Sequence, residues 1–243
     1  MENTDKKLAE IYNDLDELDN DFRNANLISK LVKLILGKSI LEIGCGNGAL
    51  LGELVKLGKK VKGIEPNLEI INIAKKINPN LDIVQGFAEE LDIIINEKFN
   101  NILMIDVVEH IEDDNKLVQG LGKFLETNGE LIIFVPAYQA LYGKRDKEIG
   151  HYRRYNKKTL RLLLEQNGFK IVRMNYWNML GILPYLISEK IFKKPLETSL
   201  RNKKQKNPIK RMISKLLFYW FKYIENNINF GFGLSLICIA KKK

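Results

Sequence analysis

The chain has two histidines among its 243 residues, and each stands in a run able to move protons. His110 closes Asp106-Val107-Val108-Glu109-His110, and His151 lies in Gly150-His151-Tyr152-Arg153-Arg154-Tyr155. Imidazole titrates near neutrality, so both are candidate proton acceptors, with Asp106 as a carboxylate partner. Asp106, Glu109 and His110 are spaced i, i+3, i+4, and one helical turn would present all three on one face. With His151 they form an alternative ligand set for a divalent cation. The plainer alternative is that His110 caps a helix or shapes a pocket floor. Arg153 and Arg154 suit a guanidinium fork on a phosphate or carboxylate, or else pair with nearby carboxylates in a solvated loop. Tyr152 and Tyr138 join them as candidate contacts to a bound acceptor.

A second constellation is Leu41-Glu42-Ile43-Gly44-Cys45-Gly46-Asn47-Gly48. Gly44, Gly46 and Gly48 follow an apolar run directly, and a glycine turn there lets the backbone approach a ligand closely. The helix expected to start at 48–50 brings free N–H groups and a positive dipole end. Glu65, at the end of the next apolar run, can accept hydrogen bonds from two ribose hydroxyls. Glu42, Gly44, Cys45, Gly46, Asn47, Glu65 and Pro66 are therefore candidate residues for a nucleotide-like ligand. A dinucleotide fingerprint would have a third glycine where Ala49 stands.

The elements that must hold these residues follow from periodicity. Short apolar runs at 39–43, 60–65, 81–85, 101–105 and 130–135 alternate with helical stretches at 48–57, 68–77, 112–126 and 156–167. That alternation predicts an α/β fold with a parallel sheet covered on both faces. Sixth and seventh runs lie at 169–175 and 233–240. Apolar residues from Leu8 to Ile35 recur at helical spacing and predict a helical segment over 1–36. The core is expected at 37–176, a helical cap insertion at 177–230, and the last strand at 231–243.

The order of motifs carries a resemblance. LEIGCGNG, then Glu65, then Gly86-Phe87-Ala88-Glu89-Glu90-Leu91, then Ile105–Ile111, resembles the class I S-adenosylmethionine (SAM)-dependent methyltransferases over roughly residues 38–176. The resemblance implies a Rossmann-like seven-stranded, mostly parallel sheet, with an antiparallel last strand and a helical insertion before it. It implies SAM as methyl donor, with Glu42, Gly44 and Gly46 at its methionine end, Glu65 on the ribose, and Phe87 and Ala88 flanking the adenine. Many relatives have Asp where Phe87 stands, so backbone N–H and stacking are expected to hold the adenine instead. The Asp106–His110 turn with a later histidine is similar to that of ubiquinone-type O-methyltransferases and small-RNA 2′-O-methyltransferases, some of which bind metal there. The stretch from Val135 through Gly150–Tyr155 to Phe169 looks like a bacterial and archaeal subgroup associated with glycan or lipid-linked sugar pathways. A methyl transfer to oxygen, less readily nitrogen, of a small or lipid-linked acceptor is expected. A SAM- or nucleotide-binding module without catalysis and an enzyme acting on nucleic acid are the alternatives.

The net charge of +9 is concentrated. Between Lys190 and Lys222 eleven Lys and Arg residues face one acid, Glu197, which leaves the remainder near neutrality. Residues 179–224 pair that charge with Leu, Phe, Tyr and Trp, and read as a lid or as an element for a membrane surface. No nucleic-acid binding module is recognisable. Cys45 and Cys238 suit neither a disulfide framework nor a CxxC site, no signal peptide is evident, and no run of 18 apolar residues occurs. A cytoplasmic protein, peripheral to the inner membrane face in the membrane reading, is the expectation.

Overall fold

The computed structural model describes residues 21–192 and 207–243. The sequence-based helix over residues 5–20 and the basic run 193–206 lie outside them. The strands are β1 (Ser39–Ile43), β2 (Lys60–Glu65), β3 (Ile83–Gln85), β4 (Phe99–Ile105), β5 (Leu125–Pro136), β6 (Phe169–Trp177) and β7 (Ser235–Lys242). They form one sheet in the order β3-β2-β1-β4-β5-β7-β6. β1 to β5 pair in parallel, while β7 slots between β5 and β6 and runs antiparallel to both. This is the expected Rossmann-like arrangement. The strand order reverses between β1 and β4, which opens a crevice at their carboxyl ends.

Helices cover both faces: α1 (Phe22–Leu34), α2 (Ala49–Lys56), α3 (Leu68–Ile77), α4 (Leu91–Ile94), α5 (Asp114–Leu121), α6 (Lys144–Glu148), α7 (Lys157–Gln166), α8 (Ile182–Tyr185) and α9 (Pro208–Trp220). Their starts are written in the sequence as side-chain caps. Asp21, Asn67, Asp113, Asn156 and Asn207 each accept backbone N–H groups of the first turn, and Pro208 opens α9. The sheet strands are buried on both sides, so they read as continuous apolar runs. One face packs Ile43, Met104, Ile133 and Val135 against Leu117, Leu121, Leu160 and Leu164 of α5 and α7. The other packs Ile40, Leu103, Ile132 and Phe134 against Leu31, Leu51, Ile71 and Phe221.

The clearest difference from the sequence reading lies between α5 and β5. The expected helix over 112–126 stops at Leu121, passes through a 3-10 turn at Gly122–Phe124, and gives way to β5 at Leu125. Polar Glu126, Thr127 and Asn128 hid the start of β5, because alternation is lost where the strand is exposed. The insertion between β6 and β7 carries α8, which runs on as a π-helix over Leu186–Ile191, and α9, extended by another over Phe221–Glu225. Asn226 fastens this second piece. Its side chain accepts from Trp177 Nε1 at 3.0 Å and donates to the Asn26 carbonyl of α1 at 2.9 Å.

Candidate functional site

β1 ends in a turn that only glycine takes without strain. Gly44, Gly46 and Gly48 have φ of 71°, 53° and 71°. Gly44 also lies against the turn after β4, where a Cβ would come within 2.5 Å of Val107 Cγ2. Glu65, at the tip of β2, clamps the turn: its Oε2 accepts from Gly46 N at 3.0 Å and its Oε1 from Asn67 N at 3.1 Å. Glu42 is 4% exposed, and its Oε2 has no hydrogen-bond partner among the described residues. Burial, reinforced by the Glu65 carboxylate, pushes its pKa up to about 8.

Asp106 follows β4 in the left-handed region, φ 53°, a conformation costly for a side chain and found at ligand-binding turns. It opens to the crevice. Enclosure in that deep space raises its pKa, against the pull of Arg23, His151 and Arg154. The turn then tightens into a 3-10 segment, Val108–His110, rather than the α-turn that would align Asp106, Glu109 and His110. The expected common face is therefore absent. Glu109 points into the core at 0% exposure, its pKa raised well above the usual range by burial and by Asp106. His110 turns to the crevice and stays neutral. Burial and the neighbouring His151 lower its pKa to about 4, partly offset by the Gly150 carbonyl.

One cleft of about 1500 Å³ joins these parts. Glu42, Gly44, Cys45, Gly46, Asn47, Glu65, Pro66, Phe87, Ala88, Asp106, His110 and Tyr152 all line it. Phe87 is 49% exposed, and its amide donates to Glu90 Oε2 at 2.8 Å.

His151, Glu109, Arg153, Arg154 and Tyr138 stand behind this lining. The His151 ring meets that of His110 edge-on, with centroids 4.6 Å apart. Its Nδ1 lies 2.9 Å from Asp146 Oδ1, which also accepts from Arg154 Nε at 2.7 Å. Burial alone would raise the Asp146 pKa, but those bonds and Gly143 N hold it at about 2. Asp146 is thus a carboxylate held against His151 Nδ1, and His151 Nε2 lies 3.8 Å from Glu109 Oε1. Arg154, 8% exposed, also donates to Tyr185 Oη of α8 at 2.7 Å. Arg153 pairs with Asp114 Oδ2 at 2.8 Å and donates to the Glu112 carbonyl at 2.6 Å. Both guanidinium groups are therefore spent inside the protein, the alternative in which they pair with carboxylates. Tyr138 stacks on Tyr176 at 5.0 Å. Among the described residues, Glu109, His110 and His151 place ligand atoms within 4.8 Å of one another; Asp106 is not in that group.

The sequence reading missed Arg23. Its guanidinium lies 5.2 Å from the Trp177 ring and 5.8 Å from that of Phe134, with Nε buried and unpaired among the described residues, and its charge bears on Asp106. A basic residue directly after Phe22, on the sheet-facing side of α1, was the available signal. Asp146 was missed as well, because the loop that folds it back onto His151, five positions on, is set by tertiary contacts.

The family model described as a methyltransferase domain matches residues 19–174. The chain belongs to that family. The ubiquinone biosynthesis O-methyltransferase of Azorhizobium caulinodans is 31% identical over 109 residues, covering 43% of this chain and 43% of that protein. The match thus spans less than half the length of that curated relative. A SAM-dependent methyltransferase from Archaeoglobus fulgidus superposes with a TM-score of 0.58 at 18% identity, covering 93% of this chain and 98% of that one. The N-methyltransferase NodS from Bradyrhizobium japonicum, solved with S-adenosyl-L-homocysteine, gives 0.57 at 15% identity, with 92% and 89% covered. At these identities the structures share the fold.

Proposed function

We propose that this methyltransferase-domain protein moves a methyl group from SAM to an oxygen of a small-molecule acceptor. One observation carries the reading: a single cleft joins the glycine turn, Glu65 and the Phe87 ring to Asp106 and His110. The residues fit the donor. The unpaired Oε2 of Glu42 suits an ammonium. Glu65 takes the ribose hydroxyls beside Pro66, Cys45 and Asn47 border the turn, and Phe87 stacks on the adenine above Ala88.

When bound, SAM supplies a methyl group on a good leaving group, so the protein's tasks are alignment, water exclusion and proton removal. An oxygen acceptor must lose its proton, and His151, packed edge-on behind His110 at the cleft wall, is the residue we assign to take it, with Asp146 holding Nδ1. His110, neutral at the cleft wall, orients the acceptor, with Asp106 opposite and Tyr152 at the edge. Tyr138, Arg153 and Arg154 then support the acceptor pocket from behind. Within this reading we favour a lipid-linked or glycan acceptor, supported by the resemblance of the Gly150–Tyr155 segment and by the apolar insertion.

A divalent cation is a second reading, favoured by the convergence of Glu109, His110 and His151. The donors fit: His110 is neutral, and Asp146 orients His151 as an outer partner orients a metal-bound imidazole. The cation would polarise the acceptor oxygen.

The test is incubation of membrane and soluble extracts with methyl-labelled SAM. Label should enter an extractable product and be lost with His151→Ala, while SAM affinity is unchanged. Protein that binds SAM but labels nothing would favour the binding-module alternative. Loss of turnover in chelator, restored by added Mg²⁺, would select the cation; unchanged turnover would select His151 as base.

A further inference from the structure

The surface of α9 is inverted relative to a helix that only covers a core. Its buried side carries Ser214, Leu217, Phe218 and Phe221. At about 100° per residue, the opposite arc should be polar in a solvated lid. It carries instead Ile209, Met212, Ile213, Leu216, Tyr219 and Tyr223, exposed by 36% to 64%. The stripe is continuous: Tyr219 stacks on Tyr223 with centroids 5.9 Å apart. Isolated apolar side chains on a surface need no explanation, but a contiguous stripe along one helix marks an interaction face.

One flank of the stripe is basic. Arg211, Lys215 and Lys222 lie along it, all exposed, and no acid stands in Pro208–Trp220. Leu183, Ile187 and Ile191 make a second exposed ridge, four residues apart, on α8 and its extension. No helix among the described residues is long and apolar enough to cross a membrane. An apolar arc with a border of Lys and Arg fits a helix lying in an interface, with side chains among acyl chains and cations among anionic headgroups.

We infer that α9 docks this protein on the surface of an anionic lipid bilayer, with Ile209, Met212, Leu216 and Tyr219 inserted and the flanking Lys and Arg residues on the headgroups. The charge of that border selects lipid over a second copy of the chain, whose own α9 would bring the same positive charge. The inference stands apart from the proposed activity, since α9 does not line the cleft.

The experiment is co-sedimentation of the full chain with phosphatidylglycerol vesicles and with phosphatidylcholine vesicles, at low and high salt. The bound fraction should be at least about tenfold larger on phosphatidylglycerol at low salt than on phosphatidylcholine or at high salt. The double variant Met212→Asp, Leu216→Asp changes only exposed positions. It should lose that binding at least tenfold while keeping the melting temperature and the calorimetric affinity for SAM. Absence of sedimentation with phosphatidylglycerol would overturn the inference, and so would undiminished binding by the double variant. Sedimentation velocity supplies the competing outcome: a dimer that the double variant dissociates, without vesicle binding, would assign the face to a second copy.

Discussion

Glu42 illustrates how a side chain can oppose folding and still be kept. With its pKa pushed up to about 8, the folded protein retains a proton that the unfolded chain loses above about 4.5. Folding stability attributable to this group therefore falls as pH rises from about 4.5 to about 8. Glu42→Gln removes the ionisation, so its melting temperature should exceed that of the parent, by more at pH 8 than at pH 5, with an upper bound of a few kcal/mol. Thermal melts at the two pH values check this, and the same variant should bind SAM more weakly. The two arginines give a second contrast. Arg154→Ala would strand the buried Asp146 carboxylate and should cost about 3–5 kcal/mol in denaturant unfolding, whereas Arg153→Ala, on a part-exposed pair, should cost about 1 kcal/mol or less. Sequence named both as candidates for anion recognition, since composition alone does not tell a buried pair from an open fork. The glycines were readable because backbone geometry dictates their type; Arg23 and Asp146 were not, because their roles depend on tertiary neighbours.

At the scale of elements, the long loop after β5 and the insertion after β6 are one mechanical unit. Tyr185 of α8 donates to the Leu141 carbonyl at 3.1 Å and accepts from Arg154, which holds Asp146, which orients His151 behind the cleft wall. Tyr185→Phe leaves a buried guanidinium N–H and a carbonyl unpaired, a loss of about 1–3 kcal/mol. Its diagnostic effect is functional: turnover should fall while the dissociation constant for SAM stays constant, because Tyr185 does not line the cleft. A parallel loss of SAM affinity would mean the chain of contacts is only structural. The strands and their helices were legible as alternating periods, since buried parallel strands are continuous apolar runs. The turn after β4 was not. Spacing i, i+3, i+4 presumes an α-turn, whereas the left-handed Asp106 and the 3-10 turn send Glu109 inward and His110 outward.

On the scale of the whole molecule, charge is unevenly spread: the insertion between β6 and β7 is basic and the remainder nearly neutral. The sheet order puts the glycine turn after β1 and the acid–histidine turn after β4 side by side at one edge, where cofactor and acceptor must meet. The fold class was readable from the order of motifs. What the insertion faces was not, because a charge count does not reveal that the apolar arc of α9 points outward. The most direct test of the account is calorimetric titration of the purified chain with SAM and with S-adenosyl-L-homocysteine. Micromolar binding of both is expected, weakened at least about tenfold by Glu65→Ala, the loss of a charge-assisted hydrogen bond. No heat with either ligand, or an unchanged affinity in Glu65→Ala, would contradict it.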